Sequence, residues 1–197
     1  MTQTGKQPKI VTLKNRAAWR QWLERNHATS ASVWLVVNKK TSKISGISYN
    51  DAVEEALCFG WIDGRLNVLD DKQYKLLFSP RKPKSIWSKS NKQRIERLIH
   101  HGLMTIAGFE KIEAAKKNGS WGTLDSIEEL IVPVDLQKAL DDNPTAKKNF
   151  SGFSNSSKKS ILYWIQSAKH PETRLRRIQQ AVTLASKNIK VNQYQLD

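Results

Sequence analysis

The sequence predicts an α+β fold: a small antiparallel or mixed sheet of about three strands covered by helices, followed by an all-helical C-terminal region. Three observations carry this expectation. Runs rich in β-branched and aromatic residues are confined to the part of the chain before Pro80. Apolar residues at helical spacing, opened by capping residues, flank those runs. Beyond residue 121, Pro133, Pro144 and Pro171 each open a helical pattern with no strand-like run between them. The 197 residues suit one domain or two small ones. The expected division is a disordered stretch 1–9, an α+β domain 10–120, and a helical module 121–197 packed on it.

The elements follow in order. Asn15 is a plausible N-cap for a first helix that carries Trp19, Trp22 and Leu23 on one face. Ser32 to Asn38 reads as a buried strand, and Lys39 to Gly46 as a basic loop. Ser48 with Asp51 resembles a capping box, Asp standing in for the usual Glu, and the helix it opens should stop at Gly60. Trp61 to Leu69 and Gln73 to Ser79 pair as a hairpin through Asp70-Asp71. Pro80 and Pro83 forbid regular structure in the loop that follows. A helix then starts at Ser88 or Ser90, carrying Ile95, Leu98 and Ile99 to Gly102, and another runs from Thr105 to Asn118. Gly119 to Gly122 reads as a hinge. In the last third, Ile161, Trp164, Ile165 and Ala168 share one helical face, and Leu175, Ile178, Val182 and Ala185 another. Most of the seven tryptophans fall at positions that suit a core.

With 39% hydrophobic residues, the composition excludes a disordered or collagen-like chain. No apolar run reaches membrane-spanning length, and none in the first forty residues resembles a signal peptide, so a cytoplasmic location is expected. The single cysteine removes an internal disulfide framework. Charge is the outlier: 33 Lys+Arg against 18 Asp+Glu, a net +15. Most of the surplus lies in residues 1–120, which hold 22 basic and 10 acidic residues. Arg81, Lys82, Lys84, Lys89, Lys92, Arg94 and Arg97 form its densest block, relieved only by Glu96. Such a block raises the local concentration of anions.

Candidate chemistry is sparse. Cys58 cannot be paired with any of His27, His100, His101 or His170 from sequence, so it reads as a small buried hydrophobe. Adjacent His100 and His101 diverge on a helix, and no metal-ligand spacing occurs. Asp51, Glu54 and Glu55 share one helical face, where complementing the helix dipole is the favoured reading. No cofactor is expected. The segment Phe78 to Asn91 is the most informative: prolines stiffen it, Arg81 and Lys84 bring charge, Trp87 brings a flat face, and Ser88 and Asn91 stand at a helix start that favours anions. Trp61-Ile62-Asp63-Gly64 is the second candidate, although an Asp beside Gly at a strand end is commonly turn chemistry.

The string Ala56-Leu57-Cys58-Phe59-Gly60-Trp61-Ile62-Asp63-Gly64, then Phe78-Ser79-Pro80-Arg81 and Ser85-Ile86-Trp87-Ser88-Lys89-Ser90-Asn91, resembles the YdeI/OmpD-associated, or bacteriocin-protection, family. Glu113 to Lys116 with Gly119-Ser120-Trp121 continues the likeness, and Ala168 to Arg174 with Arg176-Arg177-Ile178 looks like that family's helical terminal module. The resemblance runs from about residue 10 to residue 187. It implies a link to bacteriocin or antimicrobial-peptide protection, with no catalytic residues to carry over. The order of elements is also similar to small domains known as intracellular iron chaperones.

The leading expectation is a non-enzymatic binder of an anionic, phosphate-bearing ligand, held by Trp61, Asp63, Arg81, Lys84, Trp87, Ser88 and Asn91. Arg81 and Lys84 would hold the anion and Trp87 would stack. Ser88 and Asn91 would donate hydrogen bonds, and Asp63 would orient Arg81 or read a donor. The alternative is nucleic-acid binding by one face carrying Lys89, Lys92, Arg94 and Arg97, with affinity falling steeply in salt. An enzyme using Asp63 as a base has least support.

Overall fold

The computed structural model describes residues 7–39 and 46–190. The chain divides into two compact units, residues 1–122 and 123–197.

The first unit contains β1 (Lys9–Val11), α1 (Arg16–Asn26), β2 (Val33–Asn38), α2 (Tyr49–Cys58), β3 (Trp61–Val68), β4 (Gln73–Pro80), α3 (Lys89–His100) and α4 (Ile106–Lys117). The fold is α+β as expected, but among the described residues the sheet has four strands, in the order β1-β2-β4-β3. β1 lies parallel to β2, whereas β2–β4 and β3–β4 are antiparallel. The extra strand takes in Lys9, inside the stretch expected to be disordered; residues 1–6 of that stretch lie outside the described residues, as does most of the basic loop 39–46. β1 carries little pattern because it is three residues long at a sheet edge, with Ile10 56% exposed. Pro80 closes β4 opposite Trp61, a strand end where its missing N–H leaves no gap in the ladder.

Local chemistry explains the helix boundaries. The side chains of Asn15, Ser48, Ser88 and Thr105 each accept a hydrogen bond from a backbone N–H three residues on. Gly60 ends α2 with φ +71, where a Cβ would stand 2.8 Å from the Ala107 carbonyl oxygen. The end of α2 and the start of α4 meet closely: Thr105 Oγ1 donates to the Cys58 carbonyl at 2.6 Å. A Cβ on Gly108 would lie 2.3 Å from that same oxygen. The core joins one face of α1 (Trp19, Leu23), the inner face of the sheet (Leu35, Leu76, Phe78) and α2 to α4.

The second unit is helical: α5 (Asp125–Glu128), α6 (Val134–Asp141), α7 (Pro144–Gly152), α8 (Asn155–Gln166) and α9 (Pro171–Ser186). Pro144 and Pro171 occupy first-turn positions, while Pro133 is itself the N-cap of α6. Leu136, Ile161, Ile165 and Ile178 are among its core residues. Leu175, expected on the buried face of α9, is 58% exposed, and Ile99 in the first unit is 44% exposed. No described helix is long and apolar enough to cross a membrane.

Candidate functional site

β4 delivers Arg81 to the interior. Its backbone N–H donates to the Gly60 carbonyl at 2.9 Å, carrying the hairpin ladder one step past Pro80. The side chain is 2% exposed. Its Cζ lies 3.5 Å from the centre of the Trp87 ring, and Nη2 donates to the Ile86 carbonyl at 2.6 Å. Arg81 Nε and Nη1 and Trp87 Nε1 are also buried, and find no acceptor among the described residues. Burial pulls the guanidinium down to about 10, with the negative charge of Asp63 opposing that fall. It therefore stays cationic at neutral pH, without an ion pair among the described residues. A buried charge in that condition costs several kcal/mol, on the order expected from desolvation.

Asp63 stands on β3 opposite Phe78. Tyr49, in the first turn of α2, donates its hydroxyl to Asp63 Oδ2 at 3.1 Å. Burial first, and then Asp63, pushes the phenols of both Tyr49 and Tyr74 up, so both remain proton donors. From α3, Arg94 offsets part of that shift at Tyr49 and is tied to Asn91 Oδ1 at 3.3 Å and Asn50 Oδ1 at 3.1 Å. The loop that carries Arg81 is held by Asn118 Nδ2 and Ser120 Oγ, which donate to the Pro83 carbonyl at 2.8 and 3.3 Å.

Of the expected site, Asp63 is hydrogen-bonded to Tyr49 and Asn91 to Arg94, which also reaches Asn50, while Arg81 feels the charge of Asp63; Tyr49, Asn50, Tyr74 and Arg94 are the added residues. Ser88 is present as the cap of α3, its Oγ accepting from the Asn91 N–H and lying 3.1 Å from Ser90 Oγ. Trp61 does not join them: it is 1% exposed, donates its indole N–H to the His27 carbonyl at 3.2 Å and packs edge-on to Trp22. Trp87 is no open platform either, since Arg81 covers it and Trp121 lies 5.1 Å from it, centre to centre. Lys84 is exposed on the loop. Three of the seven tryptophans, Trp19, Trp61 and Trp87, are fully enclosed. The added residues carried a weak sequence signal, being polar side chains at helix starts and strand positions separated by up to 45 residues.

A second polar region lies where α1, α2 and α3 meet. Glu55 is 2% exposed and takes Arg16 Nε at 2.6 Å and Arg20 Nη1 at 2.8 Å. Arg16 also reaches Asp51 and Glu54, and Arg97 Nη2 lies 3.4 Å from Glu54. The carboxylate stripe of α2, expected to complement the helix dipole, is chiefly an arginine-binding face. Nearby, burial and Glu55 push the Cys58 thiol up to about 11, against the pull of Arg20, so it is not a nucleophile at neutral pH. Among the described residues, no three His, Cys, Asp or Glu side chains are placed to hold a metal ion.

The four cations of the nucleic-acid reading do not share one face. At about 100° per residue, Lys92 and Arg94 point about 160° apart around α3. Arg94 and Arg97 are engaged by Asn50, Asn91 and Glu54, while Lys92 Nζ lies 5.2 Å from the centre of the Trp121 ring.

Residues 11–111 match the family model described as Domain of unknown function (DUF8412). Residues 129–188 match the model described as Bacteriocin-protection, YdeI or OmpD-Associated (OmdA). The motif from Ala56 to Gly64 falls within the first match, and that from Ala168 to Ile178 within the second. No curated protein and no solved structure matches the chain.

Proposed function

The chain belongs to the DUF8412 family and carries an OmdA module over residues 129–188, and from that premise we propose that its N-terminal unit binds a small anionic, phosphate-bearing ligand at Arg81. One observation carries the reading: a buried guanidinium and a neighbouring indole leave three donor nitrogens without acceptors among the described residues. An isolated buried cation is rare unless something pairs with it. An incoming anion would supply that pair and relieve the desolvation cost. The charge of Asp63, which accepts from Tyr49, acts on Arg81, so a ligand with a donor beside its anionic group fits best. The module's description concerns bacteriocin protection; a chain of net charge +15 repels cationic peptides, so we place the ligand on the anionic side.

The test is thermal-shift titration of the full chain and of Arg81→Met with inorganic phosphate, nucleoside monophosphates and heparin, at low and high salt. A ligand that binds only the folded state raises its melting temperature. The expected result is a shift with a phosphate compound that survives high salt and vanishes in Arg81→Met. Shifts by heparin alone, lost in salt, would favour the nucleic-acid reading. Equal shifts in both proteins would remove Arg81 from the site.

A further inference from the structure

We propose that the outer face of the sheet in the first unit binds single-stranded nucleic acid, with Trp34 as its stacking surface. The face shares no residue with the Arg81 site or with the cations of α3, and stands or falls apart from both.

Register divides the sheet into two faces. Val33, Leu35 and Val37 of β2 lie with Leu76 and Phe78 of β4 in the core. The alternate positions point the other way. There Trp34 stands between Ile10 of β1 and Leu77 of β4, Val36 opposite Lys75, and Ile62 of β3 opposite Ser79. None of Ile10, Trp34, Ile62 or Leu77 belongs to either hydrophobic core or packs against one, and Val36, though 7% exposed, is likewise outside both. Ile10 is exposed, and Trp34, Ile62 and Leu77 are half-buried. Trp34 is thus set apart from Trp19, Trp61 and Trp87, which the core encloses.

Charge and the indole together select the partner. Among the described residues, no Asp or Glu occupies a register position on this face. Lys75 Nζ lies 5.0 Å from the centre of the Trp34 ring, a contact weak enough at a half-open site for a base to displace. Arg65 sits in the bulge between Asp63 and Leu66, across from Leu77, and is exposed. Neither cation has an ion-pair partner among the described residues. A polyanion that carries flat rings suits both features: a base stacks on Trp34, while Lys75 and Arg65 take the phosphates on either side. Asn67, opposite Lys75, adds an amide for a base edge. A duplex keeps its base faces hidden, so the single strand is selected. An acidic peptide would satisfy the cations and leave the indole bare. Four strands about 4.8 Å apart make a platform about 15 Å wide, room for about two or three nucleotides.

The experiment is fluorescence anisotropy of end-labelled oligo(dT) and oligo(U), about ten nucleotides long, titrated with the full chain across a salt series, beside a duplex of equal length and a poly-glutamate peptide. Both single strands are expected to saturate and to bind more tightly than the duplex or the peptide. Trp34→Ala should lose about tenfold and Trp34→Phe much less. Arg65→Gln and Lys75→Gln should each lower the slope of log affinity against log salt by about 0.7. The double variant Lys89→Gln with Lys92→Gln, and Arg81→Met, should bind as the parent does. Arg65 is exposed, so its substitution keeps the test independent of folding. A failure to saturate, or full affinity in Trp34→Ala with an unchanged salt slope in Arg65→Gln, overturns the site. Loss of binding in the α3 double variant or in Arg81→Met moves the nucleic acid elsewhere and overturns it too. Tighter binding of the duplex overturns the stacking argument, and tighter binding of poly-glutamate makes the partner an acidic protein segment instead.

Discussion

Glu55 and Arg81 are buried to the same degree, each 2% exposed, and the fold treats them in opposite ways. Around Glu55, two arginines close on both carboxylate oxygens and the charge is neutralised inside the protein. Around Arg81, the aromatic face of Trp87 and one carbonyl are the partners of the guanidinium among the described residues. The first arrangement is a closed structural lattice. The second is an open valence held in place by its surroundings. Neither device recurs in the helical unit, where no charged side chain among the described residues is fully buried and the ion pairs, such as Arg174 with Asp135, lie at the surface.

The comparison is broken most severely at Glu55. Glu55→Gln leaves Arg16 and Arg20 short of a buried counter-charge, and removing one partner of such a lattice costs about 3–5 kcal/mol. Urea unfolding should show that loss. A change near zero would mean that the arginines swing out to solvent and the lattice is ornamental.

Trp87→Phe comes next. It removes one of the three unpartnered donors and part of a packed ring, with an expected destabilisation of about 1–3 kcal/mol. Phosphate-induced stabilisation should persist in weakened form. Arg81→Met is sharper for being small: losing an unpaired buried charge offsets the lost stacking and the bond to Ile86, leaving stability within about 1 kcal/mol of the parent. Should Arg81→Met destabilise as much as Glu55→Gln, the guanidinium is structural and the contrast fails.

The smallest effect belongs to the surface pair of the helical unit. Arg174 holds the Asp135 carboxyl below the usual carboxylate range. A depressed folded-state value means that the pair stabilises above the unfolded value of about 3.9 and fades as pH falls through the lower folded one. Arg174→Gln should therefore cost about 0.2–1 kcal/mol at neutral pH, given its exposure, and nothing in strong acid. Chemical denaturation at a series of pH values reads this directly.

What the sequence makes legible is local. The side-chain caps Asn15, Ser48, Ser88 and Thr105, Gly60 and the helix-opening prolines are each readable within a few residues, and the element order follows from them. β1 is not, because a three-residue edge strand has no room for an alternating pattern. The carboxylate stripe of α2 is visible as a helical face, but its partners Arg16, Arg20 and Arg97 lie 35 to 43 residues away, and only the fold brings them close. Arg81 reads as a cation in a basic loop and invites the expectation of a solvated surface. Its burial depends on the inward turn after Pro80 and on the Trp87–Trp121 pair. Trp61 invites the opposite error, since an aromatic residue beside a polar cluster is in this case part of the core.

The carbonyl of Cys58 sits at the tight junction of α2 and α4, and its side chain is the only thiol of the chain. Enclosed at 0% exposure, that sulfur meets a thiol-specific reagent only when the junction separates. Its rate of alkylation under native conditions is therefore a clock for that opening event, and its dependence on denaturant distinguishes a local breath from global unfolding. No engineered label is needed: one buried atom reports on the seam that Gly60 and Gly108 keep closed.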